Sequence, residues 1–258
     1  MTSIVFEKKY GFGKITVTDE KTEKGTIRTL LLNGARESAC YVDEGRHYDL
    51  KFAYNHEFAR MLSQTDSDRR VLLIGGAGFS LPKFFISSFP NGRMEVVELH
   101  REMRDIAMKY FFLDELYLEY HPDRTGRLKV FCADGSRYIE NKSKAARGLS
   151  GPVPAVDNGY DMVIDDAFSG RVHDEEMMSD HTVSSICDIL KPDGVYAANV
   201  ISSAEGYGSM QLIMTKSILK NHFKKVKMWQ VNRDRDPKER QNCMLYAKNP
   251  IKRGSCGR

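Results

Sequence analysis

The stretch VLLIGGAGFSLPKFFISSFPNGRMEVVELH, residues 71–100, decides the fold. It opens with an apolar run over residues 71–74, which is typical of a short strand buried on both faces. The run ends in a turn where missing side chains let the backbone bend sharply and approach a ligand closely. The residues of this turn are Gly75, Gly76, Ala77 and Gly78. Residues 79–89 then predict a helix, which tolerates Pro82 in its first turn.

A second predicted strand, residues 93–97, leads directly into Glu98. The order strand, glycine turn, helix, strand and acid is that of a nucleotide-binding βαβ unit. In such a unit the acid accepts hydrogen bonds from the hydroxyls of a ribose. We therefore expect the glycine turn, Glu98 and its neighbour Leu99 to bind the nucleoside part of a ligand.

Strands and helices go on alternating after this unit. Strands are predicted over residues 128–132, 160–164, 195–200, 226–231 and 243–247, and helices over residues 101–112, 174–190 and 208–222. This alternation predicts an α/β fold with a Rossmann-like, doubly wound and mostly parallel sheet. The last two strands have no helix between them, which predicts one antiparallel edge.

The first 62 residues predict a small β-sheet domain with a linking helix. Asn33-Gly34 between two apolar runs is a strong hairpin signal, and apolar residues at helical spacing predict a helix over residues 48–62. We expect residues 63–250 to form the nucleoside-binding catalytic domain and residues 251–258 a tail.

Two segments of the larger predicted domain look like connections between secondary-structure elements. Residues 113–126 contain Pro122 and are expected to form a longer connection. Residues 141–159 are rich in glycine, proline and lysine, which is typical of a mobile loop or lid.

Composition excludes several classes of protein. The chain has 258 residues, 41% of them hydrophobic and 29% charged, and its net charge of +4 is scattered rather than grouped in a basic patch. Five cysteines without CxxC spacing argue against a disulfide framework and a zinc site. No apolar stretch approaches the ~20 residues that span a bilayer, and no signal-peptide core is present. We expect a cytoplasmic protein with no metal and no nucleic-acid or membrane partner.

Two further acidic motifs follow predicted strands, at the sheet edge where such folds bind ligands. In the first, Asp134 can accept a hydrogen bond from an adenine amino group, while Gly135 leaves room for the ring. In the second, Asp166 would face the reacting group and hold a cation or remove a proton. Asp165 beside it is expected to contribute to cofactor binding, and a cationic substrate would suit the pair. The structural alternatives are an Asx turn at Asp134 and a helix cap after Asp166.

Together these motifs resemble the spermidine synthase (polyamine aminopropyltransferase) family over nearly the whole chain. That family has the class I S-adenosylmethionine-dependent methyltransferase fold. The matching segments are Leu32-Asn33-Gly34 with Asp43-Glu44, residues 71–78, Glu98, Asp134-Gly135, YDMVIDD at residues 160–166 and LKPDGV at residues 190–195. The resemblance implies aminopropyl transfer from decarboxylated S-adenosylmethionine to a polyamine amine, with Asp166 as base. A base is needed because a free alkylammonium has a pKa of about 10.

The sequence departs from the family pattern on the side where the family binds amines. The family's glycine motif carries an aspartate facing the aminopropyl amine, and Gly78 stands there. The second aspartate of the family's Asp-Ser-Ser-Asp-Pro segment is Ser169. A family glutamine aligns with Glu37, and a Tyr-His pair aligns with His47-Tyr48. We therefore expect Glu37, His47, Tyr48 and Ser169 to contact the substrate.

Three kinds of function remain open at this stage. The first is a transferase with an S-adenosylmethionine-type donor, in which the missing carboxylates make methyl transfer an alternative to aminopropyl transfer. The second is a non-catalytic nucleoside-binding homologue. The third is a nicotinamide dehydrogenase, which is disfavoured because Leu81 occupies the last glycine position of a GxGxxG pattern. The resemblance also implies a homodimer acting on a small-molecule amine.

Overall fold

The computed structural model describes residues 2–64, 68–169, 172–173 and 175–251, without the side chains of residues 169, 172 and 173. Its strands are β1 (Thr2–Tyr10), β2 (Gly13–Thr22), β3 (Gly25–Leu32), β4 (Ala35–Tyr41), β5 (Arg70–Ile74), β6 (Arg93–Glu98), β7 (Leu128–Cys132), β8 (Tyr160–Asp165), β9 (Phe168–Ser169), β10 (Val172–His173), β11 (Leu190–Ser202), β12 (Phe223–Gln230) and β13 (Gln241–Pro250). Its α-helices are α1 (Ala53–Leu62), α2 (Ser80–Ser88), α3 (Arg101–Tyr110), α4 (Leu113–Tyr120), α5 (Gly135–Ala146), α6 (Asp180–Ile189) and α7 (Met210–His222).

Seven strands form the central sheet, in the order β12-β13-β11-β8-β5-β6-β7. Every strand is parallel except β13, which pairs antiparallel with both of its neighbours. The predicted α/β fold with a mostly parallel sheet is confirmed. The antiparallel strand lies one position inside the edge, because β13 inserts between β11 and β12. The strand order reverses between β5 and β8, which creates a switch point at their carboxyl ends.

The predicted N-terminal sheet is present and contains β1 to β4 in sequence order, all antiparallel. The predicted hairpin turn joins β3 to β4, with positive φ angles at Asn33 (50°) and Gly34 (81°). This sheet packs against one face of the central sheet, since Ile15 and Leu30 share a hydrophobic cluster with Leu73. The predicted domain boundary coincides with the end of α1, and the division into two domains stays a prediction.

Helix α4 occupies a segment that the sequence analysis interprets as a connection. That prediction is wrong, because Leu113 and Leu116 are both fully buried and lie three residues apart on one helical face. Helix α5 also extends into the predicted loop, so that the irregular part begins at residue 147. None of the described helices is long and apolar enough to cross a membrane.

Candidate functional site

A cavity of about 550 Å³ opens at the switch point between β5 and β8. One wall consists of residues 75–77 of the glycine turn, the carboxyl end of β6 and Phe12 in the turn between β1 and β2. The other wall consists of strand β4, the start of α1 and the carboxyl ends of β8 and β11. Phe12 stacks on His100 with ring centroids 3.7 Å apart, so that the first hairpin packs against the nucleoside side of the site. The N-terminal sheet therefore helps to enclose the cavity.

The glycine turn and Glu98 form one hydrogen-bonded unit. Gly75 has a φ of 92°, and a Cβ atom there would lie 2.9 Å from the carbonyl carbon of Asp166, so that only glycine fits. The backbone N–H groups of Gly76 and Ala77 donate to Glu98 Oε2 at 2.8 and 3.0 Å. The backbone N–H of His100 donates to Glu98 Oε1 at 3.0 Å. Since a carboxylate has about four acceptor positions, Glu98 keeps one of them, on Oε1, for a ribose hydroxyl. The structure thus brings these predicted residues together at one wall of the cavity.

Asp134 begins helix α5 and lines the same cavity as Gly135. Its Oδ1 atom accepts hydrogen bonds from the backbone N–H of Arg137 at 2.9 Å and from the Ser136 hydroxyl at 2.7 Å. Burial alone would raise the pKa of Asp134, but the Arg137 and Ser136 hydrogen bonds outweigh it and lower that pKa. The capping role that the sequence left open is present, and the carboxylate stays available on the cavity side.

Asp166 lies at the centre of the cavity wall, between the two halves of the sheet. Its backbone N–H donates to Ile74 O at 2.9 Å, which fixes it against the end of β5. Its Oδ1 atom accepts a hydrogen bond from Asn199 Nδ2 at 2.9 Å, and Asn242 Nδ2 donates to Asn199 Oδ1 at the same distance. The Tyr54 hydroxyl also hydrogen-bonds to the carboxylate. These partners are neutral, so they orient the Asp166 carboxylate without cancelling its charge.

Asp165 points away from the cavity, because successive side chains of a strand face opposite sides of the sheet. It is fully buried, and its Oδ2 atom accepts a hydrogen bond from the Tyr196 hydroxyl at 2.8 Å. Its Oδ1 atom accepts from the backbone N–H of Ala167 at 3.2 Å. The expectation that Asp165 binds the cofactor is therefore corrected: it fixes the turn that presents Asp166.

Glu37 projects into the cavity from β4. Its Oε1 atom is buried and has no hydrogen-bond partner among the residues that the structure describes. Burial raises the pKa of Glu37 to about 8, and the negative charges of Asp166 and Glu98 add to the effect. Such a carboxylate lacks the donor that would stabilise its charged form.

His47 and Tyr48 do not reach the cavity. The imidazole Nδ1 of His47 lies 2.6 Å from Glu115 Oε2, and the Tyr48 hydroxyl donates to Glu119 Oε2 at 3.0 Å. Both partners belong to α4, the helix that the sequence analysis did not predict. The expectation that His47 and Tyr48 bind substrate is thus corrected, because they attach the N-terminal segment to this helix.

Gly78 and Ser169 are the two positions that lack the carboxylates of the family, and the structure describes the surroundings of Gly78 only. A Cβ atom added to Gly78 would lie 2.7 Å from Ser38 Oγ and 2.8 Å from Ser38 Cβ. Gly78 was expected to contact the ligand with the rest of the glycine turn. It instead packs under β4 and does not line the cavity. The side chain of Ser169 lies outside the described part of the chain.

Three cavity residues that hydrogen-bond to Asp166, directly or through Asn199, are absent from the predicted site residues: Tyr54, Asn199 and Asn242. Asn199 carried a detectable signal, since a lone amide in the apolar strand β11 is almost fully buried and must find partners. Tyr54 has the helical spacing of a core residue. This spacing does not distinguish a tyrosine that only packs in the core from one that hydrogen-bonds to Asp166. Asn242 reaches the site only through the insertion of β13 beside β11.

The charge of the cavity is dominated by acids. Glu37, Glu98, Asp134 and Asp166 line it, whereas Arg36, an exposed side chain, is the only arginine or lysine in the described lining. Such a surface favours a positively charged ligand. Among the residues that the structure describes, no group of three or more His, Cys, Asp or Glu could bind a metal ion.

The chain is similar to known proteins in sequence and in fold. No family model matches the chain. A curated "Polyamine aminopropyltransferase" from Vibrio vulnificus is 24% identical over 206 residues, which cover 80% of this chain and 62% of that protein. A probable spermidine synthase from Corynebacterium glutamicum has a TM-score of 0.73 at 17% identity, covering 99% of this chain and 84% of its own. Human methyltransferase-like protein 13 in complex with SAH has a TM-score of 0.58 at 18% identity, covering 81% and 86% of the two chains.

The solved structures establish similarity of fold, and the curated relative establishes similarity of sequence over most of this chain. The chain spans about three fifths of the length of that relative. The predicted resemblance is confirmed: the chain is similar in sequence to a polyamine aminopropyltransferase and has the methyltransferase-like fold of spermidine synthases.

Proposed function

We propose that this protein is a spermidine synthase-like aminopropyltransferase, which uses decarboxylated S-adenosylmethionine as donor and a small polyamine as acceptor. The observation that carries the proposal is the acid-lined cavity at the switch point, in which Asp166 is oriented by neutral donors. Both proposed substrates are cations, and this lining favours cations. The resemblance to a polyamine aminopropyltransferase supports the same reaction.

The nucleoside half of the donor fits the wall that contains the glycine turn. Glu98 would accept a hydrogen bond from a ribose hydroxyl, and the acceptor position that remains free on its Oε1 atom supports this role. Asp134 and Gly135 would contact the adenine, and Leu99, which is 56% exposed at the cavity rim, would cover its apolar face. Neutral thioether nucleosides should therefore bind at this wall as well.

Asp166 would act on the acceptor amine. It accepts a proton from the acceptor ammonium, which gives the nitrogen a free lone pair. That nitrogen attacks the propyl carbon next to sulfur and forms the new C–N bond. The C–S bond breaks, its electron pair stays on sulfur, and the sulfonium becomes the neutral thioether methylthioadenosine. The tyrosine and asparagine donors around Asp166 keep its carboxylate directed at the nitrogen.

Product analysis tests the proposal directly. The purified protein is incubated with decarboxylated S-adenosylmethionine and linear diamines, and methylthioadenosine and the aminopropylated amine are measured by mass spectrometry. We expect both products in equal amounts. The proposal fails if the protein binds decarboxylated S-adenosylmethionine but forms no methylthioadenosine and no aminopropylated amine.

Methyl transfer is a second candidate, favoured by one observation. Gly78 leaves the family's aspartate position without a carboxylate, and Ser38 fills the adjoining space. A methyltransferase would bind S-adenosylmethionine at least as tightly as its decarboxylated form and would release S-adenosylhomocysteine. The same incubation with S-adenosylmethionine distinguishes the two reactions by the nucleoside that is released.

The predictions of a homodimer and of a cytoplasmic protein without nucleic-acid or membrane partners remain part of this proposal. The dimer rests on the resemblance, and the absent partners rest on the scattered charge of the chain. Light scattering on the purified protein measures its mass in solution, and we expect about twice the 29.4 kDa of one chain.

A further inference from the structure

A β-bulge aims Glu37 into the cavity. Leu30 of β3 pairs with Ser38, and the next residue, Leu31, pairs with Arg36, so Glu37 is the extra residue of β4. A bulge interrupts the alternation of a strand and redirects a side chain, and it recurs beside binding sites. Three consecutive residues, Arg36, Glu37 and Ser38, line the cavity as a result.

The redirected carboxylate has acidic neighbours and, among the residues that the structure describes, no cation paired with it. Glu37 Oε1 is buried without a hydrogen-bond partner, and no salt bridge joins Glu37 to Arg36 in the described part of the chain. Asp166 and Glu98 are close enough to disfavour its charge, and Tyr54 lies within the same electrostatic cluster. A donor that carries a positive charge would satisfy the free oxygen and balance the cluster.

Ser38 closes the position from which the family supplies its own carboxylate. Ser80 Oγ donates to Ala39 O at 3.1 Å, so its 3.0 Å contact with Ser38 Oγ is a hydrogen bond that Ser38 donates. This pair is buried directly above Gly78, where a Cβ atom would collide with Ser38. An aspartate at position 78 therefore has no room in this protein. Glu37 is the neighbour in β4 of Ser38, the residue that fills this space.

From these contacts we infer that Glu37 binds the aminopropyl ammonium of the donor and selects the decarboxylated sulfonium over S-adenosylmethionine. This inference rests on the proposed function. The carboxylate has moved from the glycine turn to the bulge of β4, with Ser38 occupying the vacated space. Glu37 then binds the ammonium of the donor, and Asp166 accepts the proton of the acceptor amine. S-adenosylmethionine is disfavoured because its own carboxylate would approach Glu37 and Asp166.

Calorimetric titration of three ligands against three proteins tests the inference. The ligands are decarboxylated S-adenosylmethionine, S-adenosylmethionine and neutral methylthioadenosine. The proteins are wild type, Glu37→Gln, and the control Glu20→Gln, which removes an exposed glutamate of β2. We expect Glu37→Gln to weaken binding of the decarboxylated sulfonium 10- to 100-fold, as loss of a charged hydrogen bond does, and to leave methylthioadenosine within twofold.

The outcomes separate this inference from the proposed function. Equal affinity of wild type and Glu37→Gln for the decarboxylated sulfonium overturns the role of Glu37, while methylthioadenosine binding preserves the nucleoside site. If the wild-type protein binds none of the three ligands, the proposed function itself is overturned. A triple variant sharpens the result: Glu37→Gln with Ser38→Gly and Gly78→Asp should regain at least tenfold of the lost affinity. Glu37→Gln with Gly78→Asp alone should not, because Ser38 still blocks the space.

Discussion

The two walls of the cavity differ in how far apart their residues lie along the chain. The nucleoside wall consists of consecutive motifs at the ends of parallel strands, and Glu98 contacts a turn that lies about twenty residues before it. The amine wall brings together Glu37, Tyr54 and Asn199, which come from β4, α1 and β11. Their proximity depends on how the N-terminal sheet packs on the central sheet. This fold therefore fixes its nucleoside contacts locally and its charge contacts through tertiary structure.

The largest expected effect tests whether chemistry belongs to the amine wall alone. Asp166→Asn removes the proposed base and should lower kcat by 10²- to 10⁴-fold, the usual contribution of a general base. The amide still fits beside Asn199, so methylthioadenosine should bind as in wild type. Single-turnover rates and nucleoside titrations measure the two effects, with the exposed Asp193→Asn as control. A parallel loss of nucleoside affinity would contradict the division between the walls.

Glu98→Gln tests the other wall. It removes the charge that accepts the N–H groups of Gly76 and Ala77, and each charge-assisted hydrogen bond contributes roughly 1.5–3 kcal/mol. We expect all three nucleoside ligands to bind 10- to 100-fold more weakly, by a similar factor for each. The measurement is the same titration, with Glu20→Gln as control. A loss confined to the charged ligands would place Glu98 on the amine wall instead.

The sequence predicted the first wall because its determinants are short-range. An apolar run, a turn that requires glycine at Gly75 and an acid at the next strand end are each readable without tertiary contacts. The orientation of Asp165 was readable too, since strand alternation sends adjacent side chains to opposite faces. The sequence of helix α4 also contains a helical pattern, because Leu113, Leu116 and Tyr120 follow helical spacing. Pro122 nevertheless favours a connection over this segment.

The second wall could not be predicted in the same way. The bulge that redirects Glu37 depends on the register between β3 and β4, and a shift of one residue would aim a different side chain at the cavity. The resemblance places His47 and Tyr48 at the substrate, yet their hydrogen-bond partners lie on α4. A resemblance transfers positions, whereas packing decides which of those positions face the ligand.

The affinity of the amine wall for a cation should depend on pH. Burial raises the pKa of Glu37 to about 8 in the free site, with help from Asp166 and Glu98, so the carboxyl group is mostly protonated at pH 7. A bound ammonium favours the ionised form, so binding releases a proton below pH 8 and weakens as pH falls. We expect the affinity for decarboxylated S-adenosylmethionine to drop about five- to tenfold from pH 8.5 to 7.

Two controls assign that pH dependence to Glu37 rather than to its neighbours. Tyr54, Asp166, Glu98 and Arg36 face the same space, and burial raises the pKa of Tyr54 far above this range. Methylthioadenosine, which carries no ammonium, should bind equally at both pH values. Glu37→Gln should abolish the slope for the decarboxylated sulfonium, and a slope that survives this substitution would assign it to another group.

The smallest expected effect concerns how Asp166 is oriented. Tyr54→Phe removes one neutral donor to the Asp166 carboxylate, while Asn199 still donates at 2.9 Å. One hydrogen bond contributes about 0.5–1.5 kcal/mol, so kcat should fall two- to tenfold with unchanged nucleoside affinity. Tyr207→Phe, which alters a fully exposed tyrosine, is the matched control. If Tyr54 served packing alone, the substitution would change neither Tm nor kcat, because the phenyl ring keeps the volume. A fall in kcat at constant Tm would instead show that α1, an element of the N-terminal region, positions the base of the catalytic site.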